Sequence, residues 1–239
     1  MMDRETTACL HVVGDRHDGY GLWAPVVSDV AALTELPAVL EGHLHNDDGT
    51  GLHQGVLSFA AATSDPVLIL PLNEPAGAAE GTSTPRRRRV LVPTERTRTG
   101  RRQIREWIGR AERLGFEVVQ IHVLTEATAP SMWEGPGHHA EAWWAEVRRR
   151  HQIGTASLSI RSGEPAERIL TAAARSDFII LFWQGNPSAG RADTLRRLIG
   201  GADQPLLLVP IPSSVGSDHP GPGVGRTGPG GSVDRPRDS

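Results

Sequence analysis

The stretch Asp177–Ile211 reads DFIILFWQGNPSAGRADTLRRLIGGADQPLLLVPI. It opens on an unbroken apolar run, Phe178 to Trp183. A loop bearing Gly185 and Gly190 follows, then a short amphipathic segment from Arg191 to Ile199 closed by Gly200 and Gly201. A second apolar run, Pro205 to Pro210, ends the unit. Runs without polar alternation suit strands covered on both faces, as in parallel sheets. Strand, loop, helix, strand is the ligand-carrying half of a doubly wound α/β sheet, where ligands sit at the carboxyl ends of the strands.

Working outward, the same grammar recurs. Val90–Pro93, Phe116–Leu124 and Ala156–Ile160 read as strands. Gly100–Leu114 reads as a helix with Ile104, Trp107, Ile108, Ala111 and Leu114 on one face and Gly115 as its C-cap. Ala140–His151 reads as a helix, and Gly163-Glu164-Pro165 opens another that runs to about Ala174. Five strands alternating with four helices predict a parallel α/β domain over 89–212. Upstream, Cys9–Val13 reads as a strand, Ser28 as the N-cap of a helix, Val39–His43 as an interrupted strand, Leu52–Ala62 as a helix and Pro66–Pro71 as a buried strand. Residues 73–88 are rich in Pro, Gly, Ser and Thr and read as a linker. It ends in four arginines, Arg86 to Arg89, read as a solvated linker end entering a strand and not as a nucleic-acid patch. Residues 213–239 hold almost nothing apolar and are expected to be disordered.

The halves echo each other at an offset of 139 residues. Gly51, Pro66 and Pro71 fall on Gly190, Pro205 and Pro210, and the apolar runs after Pro66 and Pro205 coincide. Continued back, Val39 falls on Phe178 and Val30 on Ile169. Residues 1–72 therefore read as a partial copy lacking the first strand, first helix and second strand. Such a fragment cannot bury its own sheet face and is expected to pack on the second copy or a partner chain, or to be the remnant of a longer protein.

Composition bounds the rest. The 239 residues carry a net charge of -3 and 38% hydrophobic residues, with 27 Gly and 18 Pro. All 25 basic residues are arginines. This balance gives no general argument for nucleic acid or an acidic membrane, and neither is expected as a partner. One cysteine, Cys9, excludes an internal disulfide framework and fits a reducing compartment. No 18-residue apolar run and no apolar leader core occur, so a cytoplasmic protein is expected.

Arg89-Val-Leu-Val-Pro-Thr94, Glu117-Val-Val-Gln-Ile-His-Val123, Gly163-Glu-Pro-Ala-Glu-Arg-Ile-Leu170, Ser176-Asp-Phe-Ile-Ile180 and Gln204-Pro-Leu-Leu-Leu-Val-Pro210 stand in one order. That ordered set resembles the universal stress protein family over about 89–212, with a fainter copy at 8–72. The resemblance implies a five-stranded parallel sheet of the adenine-nucleotide α-hydrolase-like, Rossmann-like kind. It also implies tandem copies and homodimerisation through the last strand. Some members bind ATP and others do not.

ATP-binding members carry Gly-x2-Gly-x9-Gly-[Ser/Thr] after the fourth strand, whose amides and helix start cradle phosphates. Gly190-x9-Gly200 matches in part, but Gly200 reads as a helix end. Counting back from Pro205 puts the phosphate position at Ala192-Asp193, where a carboxylate repels phosphate. Residues placed at the nucleotide cleft are Pro93, Thr94, Glu95, Gly185, Gly190 and Arg191. The expectation is a non-catalytic regulatory or stress-response protein with weak or lost ATP binding and no required cofactor. An ATP-binding switch or slow ATPase is the alternative. A metal enzyme using His43 and His45 comes third, because no established ligand spacing matches and a polar turn explains them. No nucleophile–base–acid set is evident, and Cys9 lacks a catalytic setting.

Overall fold

A computed structural model describes residues 8–14, 20–41, 52–71, 88–94, 101–125, 145–146, 148–149, 152–183 and 189–211. In chain order these form β1 (Leu10–Val13), α1 (Tyr20–Thr34), β2 (Ala38–Leu40), α2 (Leu52–Ala62) and β3 (Val67–Ile69). The second half supplies β4 (Arg89–Pro93), α3 (Arg101–Arg113), β5 (Glu117–Leu124), β6 (Ser157–Ser162), α4 (Pro165–Ala173), β7 (Phe178–Trp183), α5 (Ala189–Gly201) and β8 (Leu206–Pro210). Ala145, Glu146, Arg148 and Arg149 are helical, inside the helix expected at 140–151. No described helix is long and apolar enough to cross a membrane.

The eight strands among the described residues join one sheet, in the order β2-β1-β3-β8-β7-β4-β5-β6. β8-β7-β4-β5-β6 is wholly parallel, the expected five-stranded unit. The three further strands extend it, and every neighbour is parallel except β3 and β8. There Val67 faces Leu208, Leu68 faces Leu207 and Ile69 faces Leu206. The 139-residue offset maps Leu68 onto Leu207. Each half thus meets the other through its own equivalent residue, the signature of an isologous, two-fold contact.

The sheet alternation divides the core. Val12, Leu68, Val90, Val92, Ile180 and Leu207 pack with α1 and α3 on one face. Val67, Ile69, Leu91, Ile179, Leu206 and Leu208 pack with α2, α4 and α5 on the other. Leu68, Leu91, Ile179 and Leu207 are fully buried. Each such side chain contributes about 1.5–3 kcal/mol of transfer free energy. Polar contacts also join elements, both between the halves and within the second. Arg88 binds Asp29 of α1 and lies 5.1 Å over the Phe116 ring. Arg110 Nη1 donates to the Leu33 carbonyl at 3.1 Å. Arg89 N donates to Asp177 Oδ2 at 2.6 Å and its Nη2 to Glu117 Oε1 at 2.5 Å. The end of the arginine run therefore stitches elements together, where a solvated linker end was expected. Burial pushes the Asp29 carboxyl up, against the opposing pull of Arg88.

Several expected boundaries hold. Gly115 stands at a φ of 84° after α3. Its N–H reaches the Glu112 carbonyl and that of Phe116 the Ala111 carbonyl, a Schellman closure. Glu164 caps α4 by accepting from Glu167 N, with Pro165 in the first turn. Others shift. α1 begins at Tyr20, eight residues before Ser28, and carries Pro25 inside it. Its C-terminal neighbour Glu35 adopts a φ of 60°. A left-handed backbone costs a side-chain-bearing residue about 1–2 kcal/mol. The Glu35–Arg110 pair, at 3.6 Å with Glu35 70% exposed, offsets little of that. Glu35→Gly is expected to raise stability by about 0.5–1 kcal/mol, readable as an upward shift in thermal denaturation.

The repeat assignment needs correction upstream of α2. The offset places β2 on β7, yet β2 is an outer edge with Val39 42% and Leu40 54% exposed. β1 holds the place beside β3 and pairs with both β2 and β3. In the second half, β4 leads through α3 to β5 on one face, and the chain returns through α4 and α5 on the other. The first half does the same in miniature, outward through α1 and back through α2. It therefore retains a first strand, first helix and second strand. Among the described residues the third and fourth strands have no counterpart.

Candidate functional site

In a doubly wound sheet the ligand crevice lies where the strand order reverses. Here the outward strands start at β4 and the returning strands begin with β7, which are neighbours. The candidate site is thus the carboxyl ends of β4 and β7, with the start of α5 above them.

At the β4 end stand Pro93, half-buried, and Thr94, buried. Thr94 N donates to the Ile121 carbonyl at 2.8 Å and its hydroxyl to the same carbonyl at 3.3 Å. His122, buried on β5, completes this corner. Its Nδ1 lies 2.8 Å from the Thr94 carbonyl. A carbonyl only accepts, so Nδ1 carries the proton. Sequence reading named Thr94 but missed His122. The available signal was register, because a strand beside Pro93–Thr94 sets Ile121 opposite Pro93 and brings His122 to the crevice. At the β7 end, Trp183 is buried against the face that holds α2, α4 and α5. Its carbonyl accepts from Ile211 N at 2.6 Å. Its indole N–H, also buried, has no hydrogen-bond partner among the described residues.

The helix start differs from expectation. α5 begins at Ala189, so Gly190 and Arg191 lie in its first turn, which contains no acidic residue. Asp193 is exposed one turn position later. The carboxylate expected to repel a phosphate is therefore outside the first turn, where dipole effects concentrate. Gly200 and Gly201 are helical and not left-handed caps. A Cβ on Gly201 would come within 3.1 Å of Leu170 Cδ1, so glycine there permits α5 to approach α4. Glu95, Gly185, His43 and His45 lie outside the described residues, as do the linker up to 87 and the tail.

The first half has its own reversal, between β1 and β3. Gly14 ends β1 with Leu70 against it, and a Cβ on Gly14 would meet Leu70 Cβ at 3.4 Å. Leu70 N also binds the Val13 carbonyl at 2.8 Å. Leu70 fills the corner that Thr94 and His122 occupy in the second half. Cys9 lies at the other end of the sheet. Burial, then Asp65 and Glu41, push its thiol up, which disfavours the thiolate a nucleophile requires.

No model of a known protein family matches the chain, and no curated protein matches it. Solved structures do. The solved structures that it is similar to include universal stress proteins. One, from Archaeoglobus fulgidus, is 19% identical over 67% of this chain and 54% of its own, with a TM-score of 0.42. The chain thus spans about half of that protein. Universal stress protein UspA from Lactobacillus plantarum is 18% identical over 53% of this chain and 98% of its own, TM-score 0.34. An Arabidopsis thaliana family protein, solved with AMP bound, is 18% identical over 52% and 92%, TM-score 0.31.

The acid-free first turn of α5 suits an anion. The Thr94 hydroxyl is committed to the Ile121 carbonyl, and Trp183 is buried at the β7 end.

Proposed function

We propose that this chain is a non-catalytic regulatory protein of the universal stress protein type, in which a reduced first copy serves as the built-in partner of the second. One observation carries the reading. The antiparallel β3–β8 pair joins equivalent residues, Leu68 and Leu207, about a local two-fold. It occupies the strand through which the resemblance implies homodimerisation. On this reading β8 has no free edge for that contact, since it pairs with β7 on one side and β3 on the other. The contact between two chains becomes a contact within one. Residues 1–72 act as the partial copy, 89–212 as the domain and 73–88 as their connection.

Nucleotide binding is weak or lost on this reading, because the polar corner at Thr94 is internally satisfied and the loop is poor in glycine. Calorimetric titration of the full chain with ATP and AMP is expected to give no saturable heat below about 1 mM, near -4 kcal/mol of binding free energy. ATP incubated with the protein is expected to stay intact. Micromolar affinity that disappears in Arg191→Ala overturns the weak-binding statement. A second reading, an adenine-nucleotide-binding switch, is favoured by the acid-free first turn of α5. The same titration separates the two.

A further inference from the structure

A cluster unconnected with the crevice lies at the amino end of β1. Cys9 and His11 are two residues apart, so alternation turns both to one face of the sheet. That face is covered by α2, whose Phe59 meets the His11 ring edge-on at 5.1 Å. Asp65, in the turn between α2 and β3, closes the group and accepts from Cys9 N at 3.2 Å. Cys9 Sγ lies 3.4 Å from His11 Nε2. His11 Nε2 lies 3.7 Å from Asp65 Oδ2, and Asp65 Oδ2 4.0 Å from Cys9 Sγ.

We propose that Cys9, His11 and Asp65 bind a zinc-class divalent cation, with Glu41 holding the His11 ring. Three arguments converge. The triangle matches the ion. Zinc–sulfur, zinc–nitrogen and zinc–oxygen bonds at a tetrahedral angle set their ligand atoms about 3.3–3.6 Å apart. The two edges to Asp65 need to close, and the Sγ–Nε2 edge to open, by only a few tenths of an ångström. The imidazole is oriented for the task. His11 Nδ1 lies 2.5 Å from Glu41 Oε1, so it donates there and leaves the Nε2 lone pair facing the sulfur and the carboxylate. A carboxylate gripping the far nitrogen of a ligating histidine fixes its tautomer and raises its basicity. The surroundings favour a cation. Two carboxylates converge on the site beside the carbonyl end of α2, the negative end of its dipole. Their side chains keep access to solvent, at 15% for His11, 17% for Asp65 and 29% for Glu41. A thiolate with an imidazole selects zinc over magnesium or calcium. Three protein ligands leave a fourth position for water. This site is independent of the nucleotide reading.

The test uses the full chain, freed of metal and titrated with zinc against a chromophoric chelator, and with cobalt(II) as a spectroscopic substitute. One zinc per chain is expected, and a thiolate-to-cobalt charge-transfer absorption. Cys9→Ser is expected to abolish that absorption and weaken zinc at least about 100-fold. Glu41→Gln keeps the absorption and weakens zinc about 10–100-fold. Circular dichroism of each variant confirms that it folds, and Asp65→Asn replaces Cys9→Ser if the latter does not. Absence of stoichiometric zinc in the folded wild type overturns the proposal, leaving a hydrogen-bonded triad. Zinc held at undiminished affinity by folded Cys9→Ser or Asp65→Asn overturns it equally.

Discussion

Removing residues 1–72 is expected to convert the protein into a dimer joined through β8. In the whole chain β8 has no free edge. Without β3 its outer edge presents unpaired N–H and C=O groups beside Leu206, Leu207 and Leu208, all buried in the intact protein. A bare, apolar edge is a template for pairing with another chain. The partner it best fits is a second β8, because the antiparallel register about Leu207 is already self-complementary. The full chain is expected to sediment near 25.7 kDa. The truncated chain is expected to sediment at twice its own mass. Leu207→Lys in the truncated chain places like charges opposite each other at the centre of the new pair and is expected to restore the monomer. A truncated chain that folds and stays monomeric with Leu207 in place would show that the β3–β8 contact is no substitute for a dimer interface.

The local grammar of the second half was legible because each signal is carried by neighbours in sequence. The apolar runs at 90–93, 178–183 and 206–210 became β4, β7 and β8, and Gly115 and Pro165 stood at the helix ends where their backbone chemistry puts them. Non-local facts were hidden. Nothing in Val39 says that β2 lies outside β1, since strand order is decided by which long-range pair buries most. The offset of 139 sets α2 on α5 and β3 on β8 but aligned Val39 with Phe178 through shared strand grammar alone. Pro25 disguised the first turns of α1, because a proline inside a helix usually breaks it. α5 begins at Ala189, two residues before the expected Arg191, and that displacement leaves Asp193 outside the first turn. The metal candidates show the same limit. His43 and His45 drew notice by their spacing, whereas Cys9 and His11 needed Asp65, 56 residues from Cys9, to become a cluster.

Gln120 makes a further case in which one residue holds two segments. It is fully buried in β5, on a strand whose pattern reads as apolar. Its Nε2 donates to the Ile153 carbonyl at 2.6 Å and the Ala156 carbonyl at 3.2 Å, and its Oε1 accepts from Ile153 N at 2.9 Å. These bonds pin the turn that delivers β6 to β5. Gln120→Ala strands the Ile153 carbonyl and N–H in the core, leaves the Ala156 carbonyl only its 3.3 Å bond from Gln152 Nε2, and opens a cavity. A loss of about 3–4 kcal/mol is expected in urea denaturation, from unsatisfied groups at about 1–3 kcal/mol each with partial relaxation. Gln120→Glu separates polarity from volume. Its protonated carboxyl retains an acceptor for Ile153 N and one donor, whereas the carboxylate sets negative charge against two carbonyl oxygens. Burial and those carbonyls raise the folded-state pKa, so the folded variant binds more protons than the unfolded chain. Stability relative to the parent is then greatest below the unfolded value of about 4.3. It falls by about 1.4 kcal/mol per pH unit from there up to the folded value. A Gln120→Glu variant whose deficit does not grow between about pH 4 and 7 would show that the site is open to water, and that the three bonds are not what holds β6 to β5.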